Sequence, residues 1–147
     1  VELNGKNLSG LATAIAVIAI VLLYQNHGLF SANVLVIAVQ LAAVVLMIWA
    51  RVTMGMKSFH FTANPVAGTR VTGGPYRYWR HPIYAGLLFF TWAGVAGNLS
   101  AANLLLGLII SVMLFARMVF EEKLLVQRFP EYAEYARRTK RVVPGLF

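Results

Sequence analysis

The sequence predicts an all-α fold: a polytopic membrane helical bundle of about four transmembrane helices, with an interfacial connector and a cytoplasmic C-terminal helix. Three observations carry that expectation. Hydrophobic residues make up 59% of the 147 residues and charged residues only 12%, against about 25% charged in an ordinary soluble domain. The apolar residues are bunched into long runs rather than laid along one face per helix, so lipid is the expected solvent for much of the surface. Lysine and arginine fall between and after those runs, where cytoplasmic segments carry them.

The first run, Leu8 to Tyr24, and the second, Leu29 to Ala50, are each near the roughly 20 residues a spanning helix needs. The first is long for a signal-peptide core and no small-residue cleavage pattern follows it, so a retained helix is expected. Only Gln25-Asn26-His27-Gly28 separates the two, which predicts a tight hairpin with the helices as antiparallel neighbours. Residues 51–82 form a connector with Arg51, Lys57, Arg70, Arg77 and Arg80 among Pro65, Gly68, Gly73, Gly74 and Pro75. Irregular backbone of this kind is tolerated at a membrane only where it lines a cavity or leaves the lipid, so Thr53 to Gly73 is expected to cover a site. The third run, Ile83 to Gly97, is short for a span and is expected to start inside the interface near His81 or to tilt. The fourth, Leu104 to Phe120, is followed by a polar tail, residues 121–147, helical in pattern, broken at Pro130 and stopped by Pro144. The whole of 1–147 reads as one membrane-embedded domain. No Lys or Arg lies in the turns around His27 and Asn98, so both turns are expected outside and both termini in the cytoplasm.

The formal charge of +8 could suit nucleic acid, but its placement at span ends points to membrane lipids, and no nucleic-acid partner is expected. With no cysteine, and with His27, His60 and His81 far apart, neither a disulfide, a cysteine nucleophile nor a metal site is expected.

Two clusters could carry chemistry, and the topology puts both at the cytoplasmic face. One runs from Gly73 to Gly86 and holds Arg80, His81 and Tyr84. Pro82 suits the first turn of a helix, whose amides, with Arg80, could hold a carboxylate or phosphate. His81 and Tyr84, three apart, can share a face. The bland alternative is a basic, aromatic belt that anchors the helix. The other cluster is Arg117, Glu121 and Glu122, followed by Tyr132 and Tyr135. Arg117 and Glu121 are four apart and can pair, whereas Glu122 points about 100° away. Two acids at a helix end oppose its dipole, so a compensating cation is expected: a ligand, Lys123 or a tail arginine.

The segments Gly74-Pro75-Tyr76, Arg80-His81-Pro82-x-Tyr84-x-Gly86, Glu121-Glu122 and Phe129-x-x-Tyr132-x-x-Tyr135 together resemble the isoprenylcysteine carboxyl methyltransferase and phospholipid methyltransferase superfamily. The likeness runs from Val71 onward and leaves the first two spans unmatched. It implies S-adenosylmethionine as the methyl donor, bound at the cytoplasmic side by His81, Tyr84, Glu121, Glu122, Tyr132 and Tyr135. Arg80 and Glu121 are the residues it implies at the reacting groups. The acceptor it implies is lipidic or amphiphilic, with lipid amines, small thiols and prenylated cysteines all open. Of the two glutamates, Glu121 is expected to matter more because it shares a face with Arg117. Sterol-type membrane reductases, which use NADPH, resemble the chain in an Arg-His-x-x-Tyr segment and in the ending Val143-Pro144-Gly145-Leu146-Phe147. They usually carry an acidic residue where Leu87 follows Gly86, and the adjacent Glu121-Glu122 pair suits methyl transfer better. A helical scaffold without activity is the third alternative, and it has no need of Arg80, His81 and Glu121 together.

Overall fold

A computed structural model describes residues 5–55 and 73–143. Among them are α1 (Gly5–Gln25), α2 (Val34–Met54), a short 3-10 turn (Gly74–Arg77), α3 (Pro82–Gly97), α4 (Ala101–Arg128) and α5 (Tyr132–Arg138). The expected cover over Thr53 to Gly73 falls largely on residues 56–72, outside the described residues, as does Pro144 with the stop expected there.

The polytopic helical bundle is borne out. Helices α1, α2 and α4 are long and apolar enough to cross a membrane, and α3 is a shorter apolar helix. At 16 residues, α3 rises about 24 Å, less than the roughly 30 Å of a hydrocarbon core. It begins at Pro82 with His81 as its N-cap, at the residue near which the third helix is expected to start.

The helices pair differently from the expected hairpin neighbours. α1 packs along α4 and α2 along α3, with a thinner seam between α3 and α4. The cause lies in the turn and the faces. Asn33, not the start of the second run, caps α2, its side chain accepting the Leu35 amide at 2.9 Å. The link is therefore longer than Gln25 to Gly28 and lets the helices part. On α1 the buried positions Ser9, Ala12, Ala16, Ala19 and Leu23 recur at three and four residues, a narrow face, of small side chains from Ser9 to Ala19, that admits close approach by another helix. Gly86 plays the corresponding part on α3: a Cβ there would lie 2.5 Å from Met47 Cγ and 3.0 Å from the Ala43 carbonyl of α2. A contiguous core of Ala19, Leu23, Ala85, Val95, Ile110, Leu114, Met118 and Val142 joins α1, α3, α4 and the tail.

Where α1, α3 and α4 have their ends away from Arg80, side-chain amides tie the two pairs together. Asn26 Nδ2 donates to Asn103 Oδ1 at 2.7 Å, Asn103 Nδ2 to the Asn98 carbonyl at 2.7 Å, and Asn98 Nδ2 to the Phe30 carbonyl at 2.8 Å. At the other end α4 does not stop with its apolar run. It continues to Arg128, because Leu124 and Leu125 prolong the apolar pattern past Glu122. The chain breaks around Pro130 as expected, and α5 turns back to bury Tyr132 and Tyr135. Beyond α5 the backbone runs beside the segment before α3: Lys140 N donates to the Tyr78 carbonyl at 3.2 Å, Arg80 N to the Lys140 carbonyl at 2.7 Å and His81 N to the Arg141 carbonyl at 3.2 Å.

Candidate functional site

The turn Gly74–Arg77, the start of α3, the C-terminal half of α4 and the tail converge on one polar cluster. Pro82 at the first helical position leaves His81 as the N-cap, which turns its ring toward α4. His81 is 5% exposed and lies between the two glutamates, with Nε2 at 3.1 Å from Glu122 Oε1 and Nδ1 at 3.7 Å from Glu121 Oε2. Tyr84, one turn on, has its ring 5.6 Å from the His81 ring. Its hydroxyl donates to Glu121 Oε1 at 2.5 Å and accepts from Arg117 Nε. The expected Arg117–Glu121 pair is present at 3.1 Å.

Glu122 is more deeply set than Glu121 and gathers more cations. Arg80 Nη1 lies 3.1 Å from its Oε1, and Arg141 donates Nη2 at 2.9 Å and Nε at 3.1 Å to its Oε2. The compensating cation anticipated for the glutamates is thus met by a tail arginine, not by Lys123, which is exposed. The dipole argument behind that expectation needs correction: α4 ends at Arg128, and dipole effects fade beyond the last turn. What compensates Glu122 is direct pairing. Arg141 is the site residue not singled out by the motifs, and its only signal was membership of a basic tail.

Tyr132 and Tyr135 pack against each other at 5.5 Å between rings. Tyr135 donates its hydroxyl to the Tyr76 carbonyl at 2.6 Å, so it fastens α5 to the turn before α3. Burial first, then the nearby Glu122 charge, pushes the Tyr132 hydroxyl above the usual tyrosine range; burial does the same to Tyr76. Arg80, His81, Tyr84, Glu121 and Glu122 therefore meet in one place with Tyr132 alongside, and Tyr135 acts on the backbone behind them.

Charge and geometry decide what the cluster suits. Arg80, Arg117 and Arg141 face Glu121 and Glu122, an excess of guanidinium that favours an anionic group. Arg80 Nε is buried and has no hydrogen-bond partner among the described residues, a donor of the kind a carboxylate satisfies. Glu121, with 23% of its side chain exposed against 11% for Glu122, is the carboxylate more open to a cation. Beside the cluster an apolar cleft of about 470 Å³ lies between α3 and α4, lined by Leu88, Phe89, Trp92, Phe115, Met118 and Val142. Met118 is one turn before Glu122 and Val142 follows Arg141, so cleft and cluster adjoin.

The model of the phospholipid methyltransferase family matches residues 30–132. This chain belongs to the phospholipid methyltransferase family. The match begins earlier than the motifs suggested and takes in α2 as well as α3 and α4. Among curated relatives, the chain is 40% identical over 79 residues to the cobalt-zinc-cadmium resistance protein CzcN of Cupriavidus metallidurans, a stretch that is 53% of this chain and 37% of that protein. It is 33% identical over 70 residues to methanethiol S-methyltransferase 1 of Bradyrhizobium diazoefficiens, 47% of this chain and 24% of that protein. The chain thus matches well under half the length of either relative. No solved structure matches. Family membership agrees with the resemblance drawn from the motifs and lends no support to the reductase alternative.

Proposed function

We propose that the chain is an integral membrane methyltransferase that uses S-adenosylmethionine and methylates a lipidic or amphiphilic acceptor at the cytoplasmic face. The observation that carries this reading is the adjacency of a half-buried two-carboxylate, three-arginine cluster to an apolar cleft, in a member of the phospholipid methyltransferase family. When bound, the donor would supply a methyl group activated on sulfonium.

The residues fit such a donor. The spare Nε of Arg80 is suited to a carboxylate, and Glu121 to an ammonium or sulfonium. The ring of Tyr132 suits the same cations, whereas the Tyr84 ring already carries the Arg117 guanidinium at 5.8 Å. Glu122 holds Arg80, His81 and Arg141 in register, and Tyr135 keeps Tyr132 in place. The cleft takes the apolar part of an amphiphile whose reactive end then meets the cluster, and both surfaces exclude water. What the chain contributes to the reaction is alignment and a dry site. The cytoplasmic orientation rests on the absence of Lys and Arg from the two turns at the amide-tied end.

Purified protein in detergent, given methyl-labelled S-adenosylmethionine with an amine phospholipid, a prenylated cysteine or a small thiol, tests the proposal. Label transferred to one of the two lipidic acceptors is the expected result. Transfer to the small thiol alone, the acceptor class named for one relative, would keep the methyltransferase and overturn the lipidic acceptor. Binding of NADPH with none of S-adenosylmethionine would overturn both.

A further inference from the structure

The first helix lies ahead of the family match, which starts at residue 30, yet it reaches into the cluster. Thr13 stands beside Ala12 on the face of α1 that packs along α4. Its hydroxyl donates to the Ser9 carbonyl at 2.9 Å and accepts Arg117 Nη1. Donation to the carbonyl four residues back fixes the hydroxyl hydrogen, which leaves the oxygen lone pairs for the arginine. From its Nε the same guanidinium donates to the Tyr84 hydroxyl and, at 3.1 Å, to Glu121 Oε1. A guanidinium is a rigid plane, so a hold on one edge sets the other. Arg117 is 7% exposed, and in so dry a place a buried N–H deprived of its acceptor turns toward another.

We propose that Thr13 is a positioning residue: through Arg117 it sets the Tyr84 hydroxyl and the Glu121 carboxylate, so that α1 is part of the site and not only an anchor. The proposal rests on the reading of Glu121 and Tyr84 as donor-binding groups. Ser9 and Thr13 are hydroxyls four apart inside an apolar run, but nothing in the sequence says which helix they meet.

Thr13→Val keeps the shape and removes the acceptor, while Thr13→Ser keeps the acceptor. With the full chain in detergent, Thr13→Val should weaken S-adenosylmethionine binding by about three- to tenfold and Thr13→Ser should restore it to within about twofold. Equal affinity in wild type and Thr13→Val overturns the proposal. A second measurement does not need the donor. The effects of Thr13→Val and Tyr84→Phe on thermal unfolding should be non-additive, and should become additive once Arg117→Met removes the intermediary. Additivity with Arg117 present overturns the proposal. Should wild type fail to bind S-adenosylmethionine, the donor reading falls, and this coupling alone decides whether Thr13 sets Arg117 and Tyr84. Thr13→Ala replaces Thr13→Val in both tests if the valine variant does not fold.

Discussion

At the scale of single residues, the two adjacent glutamates do different work, and their variants should fail differently. Glu122 pairs with Arg80, His81 and Arg141 at 11% side-chain exposure. Removing one partner of a buried ion pair costs roughly 3–5 kcal/mol because the others are left uncompensated. Glu122→Gln is therefore expected to lower the unfolding temperature in detergent markedly, and a variant as stable as wild type would count against that hub. Arg80→Ala removes the guanidinium whose Nε is offered to the donor carboxylate and should lower donor affinity as well as single-turnover methyl transfer; donor affinity equal to wild type with turnover lost would place Arg80 at the reacting groups alone. Gly94 marks a different constraint. A Cβ there would run into the Leu29 and Gly28 carbonyls, which are backbone and cannot swing aside. Gly94→Ala should destabilise by about 1–3 kcal/mol with little effect on donor binding in the protein that still folds.

At the scale of elements, the tail shows how far reading the sequence could go. The break at Pro130 follows from a proline that ends a helix, and Tyr132 and Tyr135 stand out through the family resemblance. The pairing of residues 140–141 with 78–81 does not follow, because hydrogen bonds between backbone atoms leave no trace in side-chain pattern. That pairing is what delivers Arg141 to Glu122. The docking of α5 should also depend on pH. The hydroxyls of Tyr132 and Tyr76 are held above the usual tyrosine range by burial, so their stabilising contribution is complete below about pH 10 and is lost as the pH rises through the shifted values. Limited proteolysis of the tail should therefore increase on the alkaline side; release on acidification alone would contradict this. At the opposite end, Asn103→Ala removes bonds to Asn26 and to the Asn98 carbonyl and should cost about 1–2 kcal/mol. Donor affinity should not change, and a fall in it would mean that the two ends are coupled.

At the scale of the whole molecule, hydrophobic run length and the placement of basic residues predicted the membrane bundle, its short third helix and the meeting of two motifs forty residues apart. They did not predict that α1 lies along α4 and α2 along α3, because helix pairing depends on three-dimensional fit between faces such as Ala12, Ala16 and Ala19 and the side chains they meet. Nor did they reveal Thr13, whose partner is more than a hundred residues away. The proposed orientation can be checked by placing single cysteines at Asn26, Ser100 and Lys140. An impermeant reagent applied to intact cells should label the first two and not the third, and the reverse pattern would put the cluster on the outer face. The central claim is that the cluster binds S-adenosylmethionine through a carboxylate of α4. The most direct test is calorimetric titration of S-adenosylmethionine into wild type and Glu121→Gln, each shown to be folded by thermal unfolding. Loss of a charge-assisted hydrogen bond worth roughly 1.5–3 kcal/mol predicts binding about ten- to a hundredfold weaker in Glu121→Gln, whereas no binding to wild type, or equal affinity in both proteins, would contradict the claim.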